Sequence, residues 1–277
     1  MPSRPGRPSD ASKRRSGKAA YHRVLLKLTG QSFAAHGGSG IDLDRVGALA
    51  HSISACYQLG ADIAIVVGGG NLFKGTQAEQ HGMNRAVADY VGMLATCINA
   101  LCLQEAVERL GLETRLLSGI EMRDVAEPFV IRRALRHLET KRVVIFAAGT
   151  GSPFFTTDTA AVLRALQVRA EILLKGTDVD GVYSGDPRTD PKARLLRHVT
   201  YDAALQQGLK VMDSTAFSLS KDHGLPILVF NMQSDPRNLQ RAIMGEPIGT
   251  LVSAVAPPAY ARSSAAPRVG RGARRGK

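Results

Sequence analysis

The residues best suited to chemistry in this chain of 277 residues are lysines, glycines and hydroxyl side chains that directly follow short apolar segments. They form four groups: Lys27-Leu28-Thr29-Gly30, Gly68-Gly69-Gly70-Asn71, Gly149-Thr150-Gly151 and Lys175-Gly176-Thr177. Glycine lets backbone amides approach an anion, hydroxyl groups donate hydrogen bonds, and lysine adds positive charge. The four groups together predict a phosphate-binding site.

Lys27 and Lys175 each end an apolar segment that is typical of a buried strand. An uncompensated buried ammonium group is costly, so each lysine requires an acidic neighbour or a bound anion. We favour the bound anion. For Lys74, a phosphate ligand and an ordinary solvated side chain both stay open.

The segment from Gly149 to Asp158 reads GTGSPFFTTD and is the most informative of the chain. It combines glycines, four hydroxyl side chains and the rings of Phe154 and Phe155, which together suit the phosphate, sugar and base of a nucleotide. Two plainer interpretations stay open: the rings could belong to the core, and Asp158 could simply cap the helix that it is predicted to open.

Several site classes are disfavoured by the same sequence. No G-x-x-x-x-G-K-[ST] motif of a P-loop kinase occurs, and Phe73 stands where the dinucleotide-binding fingerprint requires its third glycine. No G-x-S-x-G motif of a serine hydrolase is present, and the seven histidines lack metal-ligand spacing. Cys56, Cys97 and Cys102 also lack that spacing and are expected to be buried free thiols.

The elements that must position these groups alternate between short apolar segments and longer ones with helical periodicity. Strands are predicted at 23–28, 62–67, 114–117, 142–147, 171–175 and 227–231, and helices at 42–59, 84–110, 125–138, 158–167, 201–208 and 213–222. Crossovers of this length imply an α/β fold with a mostly parallel sheet between helical layers. Ligands of such sheets bind at the carboxyl ends of the strands, where all four groups are predicted to lie.

The net charge of +12 by itself suggests a nucleic-acid partner. Residues 1–20 carry +5 and residues 254–277 carry +6, which leaves +1 for residues 21–253. Both ends are rich in Pro, Gly, Ser and Ala, so we expect two basic disordered tails around one catalytic domain at 21–253. Nucleic-acid binding is then expected only through the tails.

Neither a secretory signal nor a run of about 18 apolar residues that could span a membrane is recognisable. We therefore expect a cytoplasmic protein without membrane contact.

Together these segments resemble the bacterial uridylate kinases (UMP kinases) of the amino acid kinase superfamily. The resemblance is carried by Lys27 to Gly30, GGGNLFKG (68–75), GMNRAVADYVGMLAT (82–96), AGTGSPFFTTDTAA (148–161), LLKGTDVDGVYSGDP (173–187), LKVMD (209–213) and LPILVFNM (225–232). It implies a three-layer α/β/α sandwich and transfer of the γ-phosphoryl group of ATP to UMP. Mg²⁺ would be held mainly by phosphates and water, without a metal site built by the protein.

The resemblance also implies the roles of individual residues. Lys27 and Lys74 would stabilise the transferred phosphoryl group, Lys175 would lie near the ATP phosphates, and Asp158 would orient the lysines. The ATP site would comprise Lys27, Leu28, Thr29, Gly30, Gly70, Lys74, Thr177, Tyr183 and Asp186. The UMP site would comprise Gly69, Asp89, Thr150, Gly151, Ser152, Pro153, Phe154, Phe155, Thr156 and Thr157, with Asp89 taking the ribose hydroxyls.

Two residues depart from the family pattern: Lys74 replaces an arginine, and Gln31 replaces a glutamate. The resemblance further implies a homohexamer with GTP activation and UTP inhibition, although the loop at 35–40, which is tied to GTP in the family, is altered. Two alternatives stay open, the first of them motivated by these departures and by the basic tails. One is a nucleotide-sensing or nucleic-acid-binding regulator on the same fold, and the other is a related kinase that acts on a carboxylate or carbamate.

Overall fold

A computed structural model describes residues 18–35, 38–185, 189–190, 192–209 and 212–263. The strands are β1 Arg23–Leu28, β2 Asp62–Val67, β3 Thr114–Ser118, β4 Glu127–Pro128, β5 Val143–Ala147, β6 Ile172–Thr177, β7 Val182–Tyr183, β8 Leu195–Leu196, β9 His198–Val199, β10 Ile227–Asn231 and β11 Thr250–Val252. The helices are α1 Leu43–Tyr57, α2 Gly75–Gln80, α3 Arg85–Glu108, α4 Ile131–Glu139, α5 Thr157–Gln167, α6 Tyr201–Gln206, α7 Ser214–His223, α8 Asn238–Ile243 and α9 Pro258–Ser263. A short 3-10 helix covers Gly30–Phe33.

The main sheet has the strand order β4-β3-β5-β2-β1-β6-β10-β11-β9 in the described part of the chain. Its strands pair in parallel except for β10 with β11, and β7 and β8 form a separate antiparallel pair. The predicted mostly parallel sheet is therefore confirmed. The strands that precede the four glycine and lysine groups, β5, β2, β1 and β6, are consecutive neighbours, so the groups share one edge.

Helices cover both faces of this sheet, and β1 shows how. Val24, Leu26 and Leu28 belong to the core beneath α1, α3 and α8. Leu25 belongs to the opposite core, beneath α4, α5, α6 and α7. Alternate side chains of a strand point to opposite faces, so a nearly continuous apolar segment is what a strand covered on both faces requires. The predicted three-layer α/β/α architecture is confirmed.

Two predicted boundaries are wrong. The helix expected over 125–138 begins only at Ile131, because Glu127 and Pro128 extend the sheet beside Leu117 and Ser118. The tail expected from residue 254 instead includes α9, where Tyr260 is buried and donates a hydrogen bond to the carbonyl of Ile248 at 3.2 Å. A single buried aromatic residue thus anchors a segment of tail-like composition. Residues 1–17 and 264–277, which make up most of the two predicted tails, lie outside the described residues.

Helix α3 is, by length and composition, apolar enough to cross a membrane, contrary to the expectation that no such segment exists. One face of it packs into the core through Met93, Cys97, Ala100 and Leu103. A core helix of a globular protein meets the same criterion.

The three cysteines carry free thiols, as expected. Cys56 and Cys97 are buried, whereas Cys102 is half-buried. Burial raises the pKa of the Cys56 thiol to about 12, which makes it a poor nucleophile.

Candidate active site

One carboxylate joins two lysines at the carboxyl edge of the sheet. Lys27 and Lys175 are direct neighbours in the register of β1 and β6. Lys27 Nζ lies 2.7 Å from Asp158 Oδ1, and Lys175 Nζ lies 2.6 Å from Asp158 Oδ2. Asp158 occupies the first turn of α5, which packs against β1, β2 and β6. The strand register brings the lysines together, and α5 brings the acid.

The electrostatics of this cluster follow from its burial. Burial alone would raise the pKa of Asp158, but the attraction of Lys27 and Lys175 lowers it below its ordinary value. Burial, reinforced by the repulsion of Lys27, also lowers the pKa of Lys175, against the opposing effect of Asp158. Two cations around one anion leave an excess positive charge at the edge where an anionic substrate would bind.

Two sequence-based interpretations need correction here. We favoured a bound anion over an acidic neighbour for the buried lysines, but the structure supplies the acidic neighbour, Asp158. Asp158 is also not the helix cap, because Thr156 occupies that position and its Oγ1 accepts hydrogen bonds from the amides of Asp158 and Thr159. The carboxylate of Asp158 is therefore available to the lysines.

The loops after β1 and β2 touch through their backbones. A Cβ atom on Gly30 would lie 2.6 Å from the amide nitrogen of Asn71, which no real side chain tolerates. The side chain of Asn71 then donates to the carbonyl of Gly40 at 2.8 Å and exchanges hydrogen bonds with Asn99. The glycines thus allow close packing of two loops, and polar side chains fix their positions.

Two cavities meet at this edge. The larger, of about 810 Å³, is lined by Lys27, Thr29, Gly30, Gln31, Gly38, Arg45, Gly68, Gly69, Gly70, Lys74, Thr157, Asp178 and Gln233. The smaller, of about 180 Å³, is lined by Gly69, Gly70, Phe73, Gly75, Ala88, Asp89, Gly92, Met93, Thr96, Gly149, Thr150, Ser152, Phe155 and Thr157. They share Gly69, Gly70 and Thr157. Two ligands bound in these cavities would therefore meet next to Gly69 and Gly70, close to Lys27.

Asp89 connects the smaller cavity to the loop after β5. Its Oδ2 accepts the amide of Phe154 at 2.7 Å, and both of its oxygens accept from Arg85 Nε at 3.0 Å. Phe154 has φ of 70° and an exposed ring, so the hydrogen bond holds a residue in a conformation that non-glycine residues rarely adopt. The plainer interpretation of Phe154 and Phe155 as core residues is wrong, because both rings are largely exposed.

The predicted site residues do not all line a cavity. From the predicted ATP site, Lys27, Thr29, Gly30, Gly70 and Lys74 line the larger cavity, and most of the predicted UMP site lines the smaller one. The described lining lacks the predicted residues Leu28, Gly151, Pro153, Phe154, Thr156, Asp158, Lys175, Thr177 and Tyr183. Leu28 is fully buried, and Thr177 Oγ1 donates to the carbonyl of Val179 at 2.7 Å. Asp186 lies outside the described residues.

Four residues that hold the site were missed by sequence reasoning: Thr96, Asn99, Arg164 and Asp213. Thr96 Oγ1 accepts the amide of Ala148, and Asn99 Nδ2 donates to the carbonyl of Gly68, both at 2.7 Å. Asp213 accepts hydrogen bonds from Thr156 and Thr159 and caps α7. A polar residue within an apolar helical pattern, as at Thr96 and Asn99, was the available signal.

Arg164 supports the same loop from beneath. It is buried, stacks on the ring of Phe129 at 3.6 Å, and donates to the carbonyl of Gly149 at 3.1 Å. Burial lowers the pKa of Arg164 to about 10. A charge is tolerated here because the aromatic face and the carbonyl replace part of its hydration.

A sheet with this order, paired lysines and two adjoining glycine-lined cavities is typical of a phosphate-transferring enzyme, and comparison identifies the class. The model of the amino acid kinase family matches residues 22–231, and the chain belongs to that family. The chain is similar to the UMP kinase from Bacillus anthracis, at 37% identity over 85% of this chain and 97% of that one, with a TM-score of 0.82.

Two further solved structures extend the comparison. The UMP kinase from Ureaplasma parvum is 35% identical over 84% of this chain and 98% of that one, with a TM-score of 0.79. The uridylate kinase from Archaeoglobus fulgidus is 26% identical over 83% of this chain and 99% of that one, with a TM-score of 0.65. The family inferred from the sequence motifs is confirmed.

Proposed function

We propose that this protein is a UMP kinase that transfers the γ-phosphoryl group of ATP to UMP and forms UDP and ADP. The observation that carries the proposal is the pair of cavities that meet at Gly69, Gly70 and Thr157 beside Lys27. The larger cavity suits ATP, and the smaller one, with Asp89 and Phe155, suits UMP. Their common wall is where the phosphoryl group would pass from one nucleotide to the other.

Catalysis would depend on positioning and charge, because phosphoryl transfer has a loose transition state with negative charge on the transferred oxygens. Lys27 and Lys74 line the larger cavity and would stabilise that charge. Lys175 would hold the ATP phosphates. Asp158 would fix both ammonium groups of the lysine pair without acting as a nucleophile or a base.

Mg²⁺ would arrive with the nucleotide. Within the described residues, no group of three or more His, Cys, Asp or Glu side chains is placed to hold a metal ion, and Asp178 supplies the carboxylate of the larger cavity. Such a donor set fits a cation coordinated mainly by phosphate oxygens and water. When bound, the ion would neutralise phosphate charge, while the lysines orient the γ-phosphoryl group.

UMP recognition would rest on Asp89 and the loop after β5. A carboxylate accepts hydrogen bonds from ribose hydroxyls, and Arg85 keeps that carboxylate oriented through contacts with both of its oxygens. Thr150 and Ser152 would donate to the phosphate, and Phe155 would contact the base. The chemistry of this cavity favours a nucleotide over a small carboxylate or carbamate.

A panel of nucleoside monophosphates tests the proposal. Purified protein with ATP and Mg²⁺ is expected to convert UMP far faster than CMP or AMP. Asp89→Asn is expected to raise the KM for UMP about tenfold, through loss of a charged hydrogen bond, with little change in the KM for ATP. UMP binding without any transfer would instead support a nucleotide-sensing regulator, and equal use of all acceptors would reject the proposed specificity.

We infer further that the protein works in the cytoplasm as a homohexamer under GTP activation and UTP inhibition. An exposed apolar row along α3 supports association of copies: Val87, Tyr90, Leu94, Ile98 and Leu101. An exposed apolar row of this length is typical of a protein interface. Sedimentation is expected to give a hexamer that Leu94→Glu dissociates, and a monomeric native protein would contradict this. Assays with added GTP and UTP test the regulation.

A further inference from the structure

Arg45 lies in the larger cavity with Lys27 and Lys74, although no sequence motif singled it out. It occupies the first turn of α1, where its backbone amide donates a hydrogen bond to Oδ1 of the capping residue Asp42 at 3.2 Å. Its side chain is half-buried and faces the cavity from the α1 side of the sheet. The helix start therefore fixes the backbone of Arg45 and presents its guanidinium group to the cavity.

The guanidinium group of Arg45 contacts neutral oxygens. Nη1 donates to the carbonyl of Ala34 at 3.0 Å, and Nη2 donates to Oε1 of Gln233 at a long 3.4 Å. Within the described part of the chain, no carboxylate lies at ion-pair distance from it, whereas Arg23 and Arg85 each pair with an aspartate. Its positive charge thus stays uncompensated in a cavity suited to an anion.

The location of Arg45 selects the ligand. Arg45 and Gln233 line the larger cavity but are absent from the wall that it shares with the smaller one. The charged lining of the larger cavity comprises three cations, Lys27, Arg45 and Lys74, against Asp178. This excess of positive charge suits a polyphosphate, and the planar fork of arginine matches phosphate oxygens better than an ammonium group does.

We propose that Arg45 contacts the phosphate chain of the donor nucleotide and sets its affinity. The proposal rests on the proposed function for the identity of the donor as ATP. Binding would exchange the weak contact with Gln233 for a charge-assisted contact with phosphate. The contact with Gln233 would hold the guanidinium group near its binding position before the nucleotide arrives. The contact with the carbonyl of Ala34 would be kept when the nucleotide is bound.

Calorimetric titration of a non-hydrolysable ATP analogue tests this role without any acceptor. Arg45→Ala is expected to weaken analogue binding about tenfold or more, the scale of one charged hydrogen bond, while the Kd for UMP stays within twofold. Arg45→Lys is expected to restore part of the loss, because it keeps the charge but lacks the fork. Arg109→Ala, at an exposed arginine outside both cavities, serves as the control and is expected to bind normally.

Analogue binding within twofold of the wild type in Arg45→Ala would overturn the proposal, and so would equal weakening of both nucleotides, which indicates a structural defect. These outcomes are separable from the proposed function. If the wild type binds the analogue through Arg45 but does not phosphorylate UMP, the role of Arg45 stands and the acceptor assignment fails.

Discussion

Strand β1 carries one cation cluster at each end, and the two clusters have the same ratio of two cations to one aspartate but different surroundings. At the amino edge, Arg23 donates to Asp62 Oδ2 through Nε at 3.2 Å and Nη2 at 2.9 Å, and Lys141 Nζ lies 2.6 Å from Asp62 Oδ1. At the carboxyl edge, Lys27 and Lys175 contact Asp158 at similar distances. Each cluster joins two cations to one aspartate, which is buried at the amino edge and partly buried at the carboxyl edge.

The two clusters differ in whether their cations can still contact a ligand. Arg23 Nη1 donates to the carbonyl of Val168, just after α5, so all three nitrogens of its guanidinium group are hydrogen-bonded within the protein. Lys27 contacts the acid at the start of the same helix and also lines a cavity of about 810 Å³. An arginine fork closes the structural edge, whereas compact lysine ammonium groups leave the other edge open to an anion.

The largest effect is expected from a substitution that breaks the amino-edge cluster and thereby lowers stability. Asp62→Ala leaves the buried Arg23 without its acid and is expected to lower the free energy of unfolding by about 3–5 kcal/mol. Urea denaturation followed by circular dichroism measures this change. The kcat of the folded fraction is expected to stay within about twofold, because neither cavity includes Asp62. Glu121→Ala, in an exposed pair with Arg123, is the control and should leave the midpoint unchanged.

The corresponding change at the carboxyl edge should act on rate. Lys27→Ala removes an oriented positive charge and is expected to lower kcat about 10²-fold or more. Its effect on urea denaturation should be smaller than that of Asp62→Ala, because Asp158 keeps Lys175 as a partner. Steady-state kinetics with saturating ATP and UMP checks the rate. Unchanged turnover would show that the two edges do not differ in the way proposed.

A third test uses pH to examine the acid that holds the lysines. Burial and the charge of Lys27 lower the pKa of Lys175 below its ordinary 10.5, and Asp158 opposes both. A lysine must be protonated to stabilise phosphate, so activity is lost as the pH rises through this pKa. Asp158→Asn removes the opposing charge and lowers the pKa of Lys175 further. The alkaline limb of kcat/KM for ATP should therefore move to lower pH; an unmoved limb would contradict the assignment.

The sequence predicted the strands of the sheet centre well, because β1, β2 and β10 are short and mostly apolar segments. It missed β4, β7, β8, β9 and β11, because strands of two or three residues form through pairing with a neighbour and have no periodicity of their own. It named Lys27, Lys175 and Asp158, and the resemblance implied the contact of Asp158 with the lysines, whereas reasoning from the residues alone favoured a bound anion. The contact with Asp158 depends on the register of β1 with β6 and on the packing of α5. Both are features of the tertiary structure, which the local sequence does not reveal.

The same limit explains the missed residues. Arg45, Thr96 and Asn99 lie within regular helical patterns, where one polar residue does not reveal what it faces. Only the packing of α1 and α3 beside the glycine loops assigns them to the site. Thr96 and Asp213 even end two of the segments that carry the family resemblance, but their contacts with the loop residues became visible only in the folded structure.

The smallest effect is expected from a substitution that keeps the positive charge of Arg23 but removes the forked geometry of its guanidinium group. Arg23→Lys keeps a cation next to Asp62 but cannot also reach the carbonyl of Val168, so the free energy of unfolding should fall by about 1 kcal/mol, the value of one hydrogen bond. Thermal or urea denaturation measures the loss, and kcat should be unchanged. If Arg23→Lys instead lowers kcat while stability is retained, the amino edge influences catalysis through α5, and the separation of the two clusters into structural and catalytic edges is wrong.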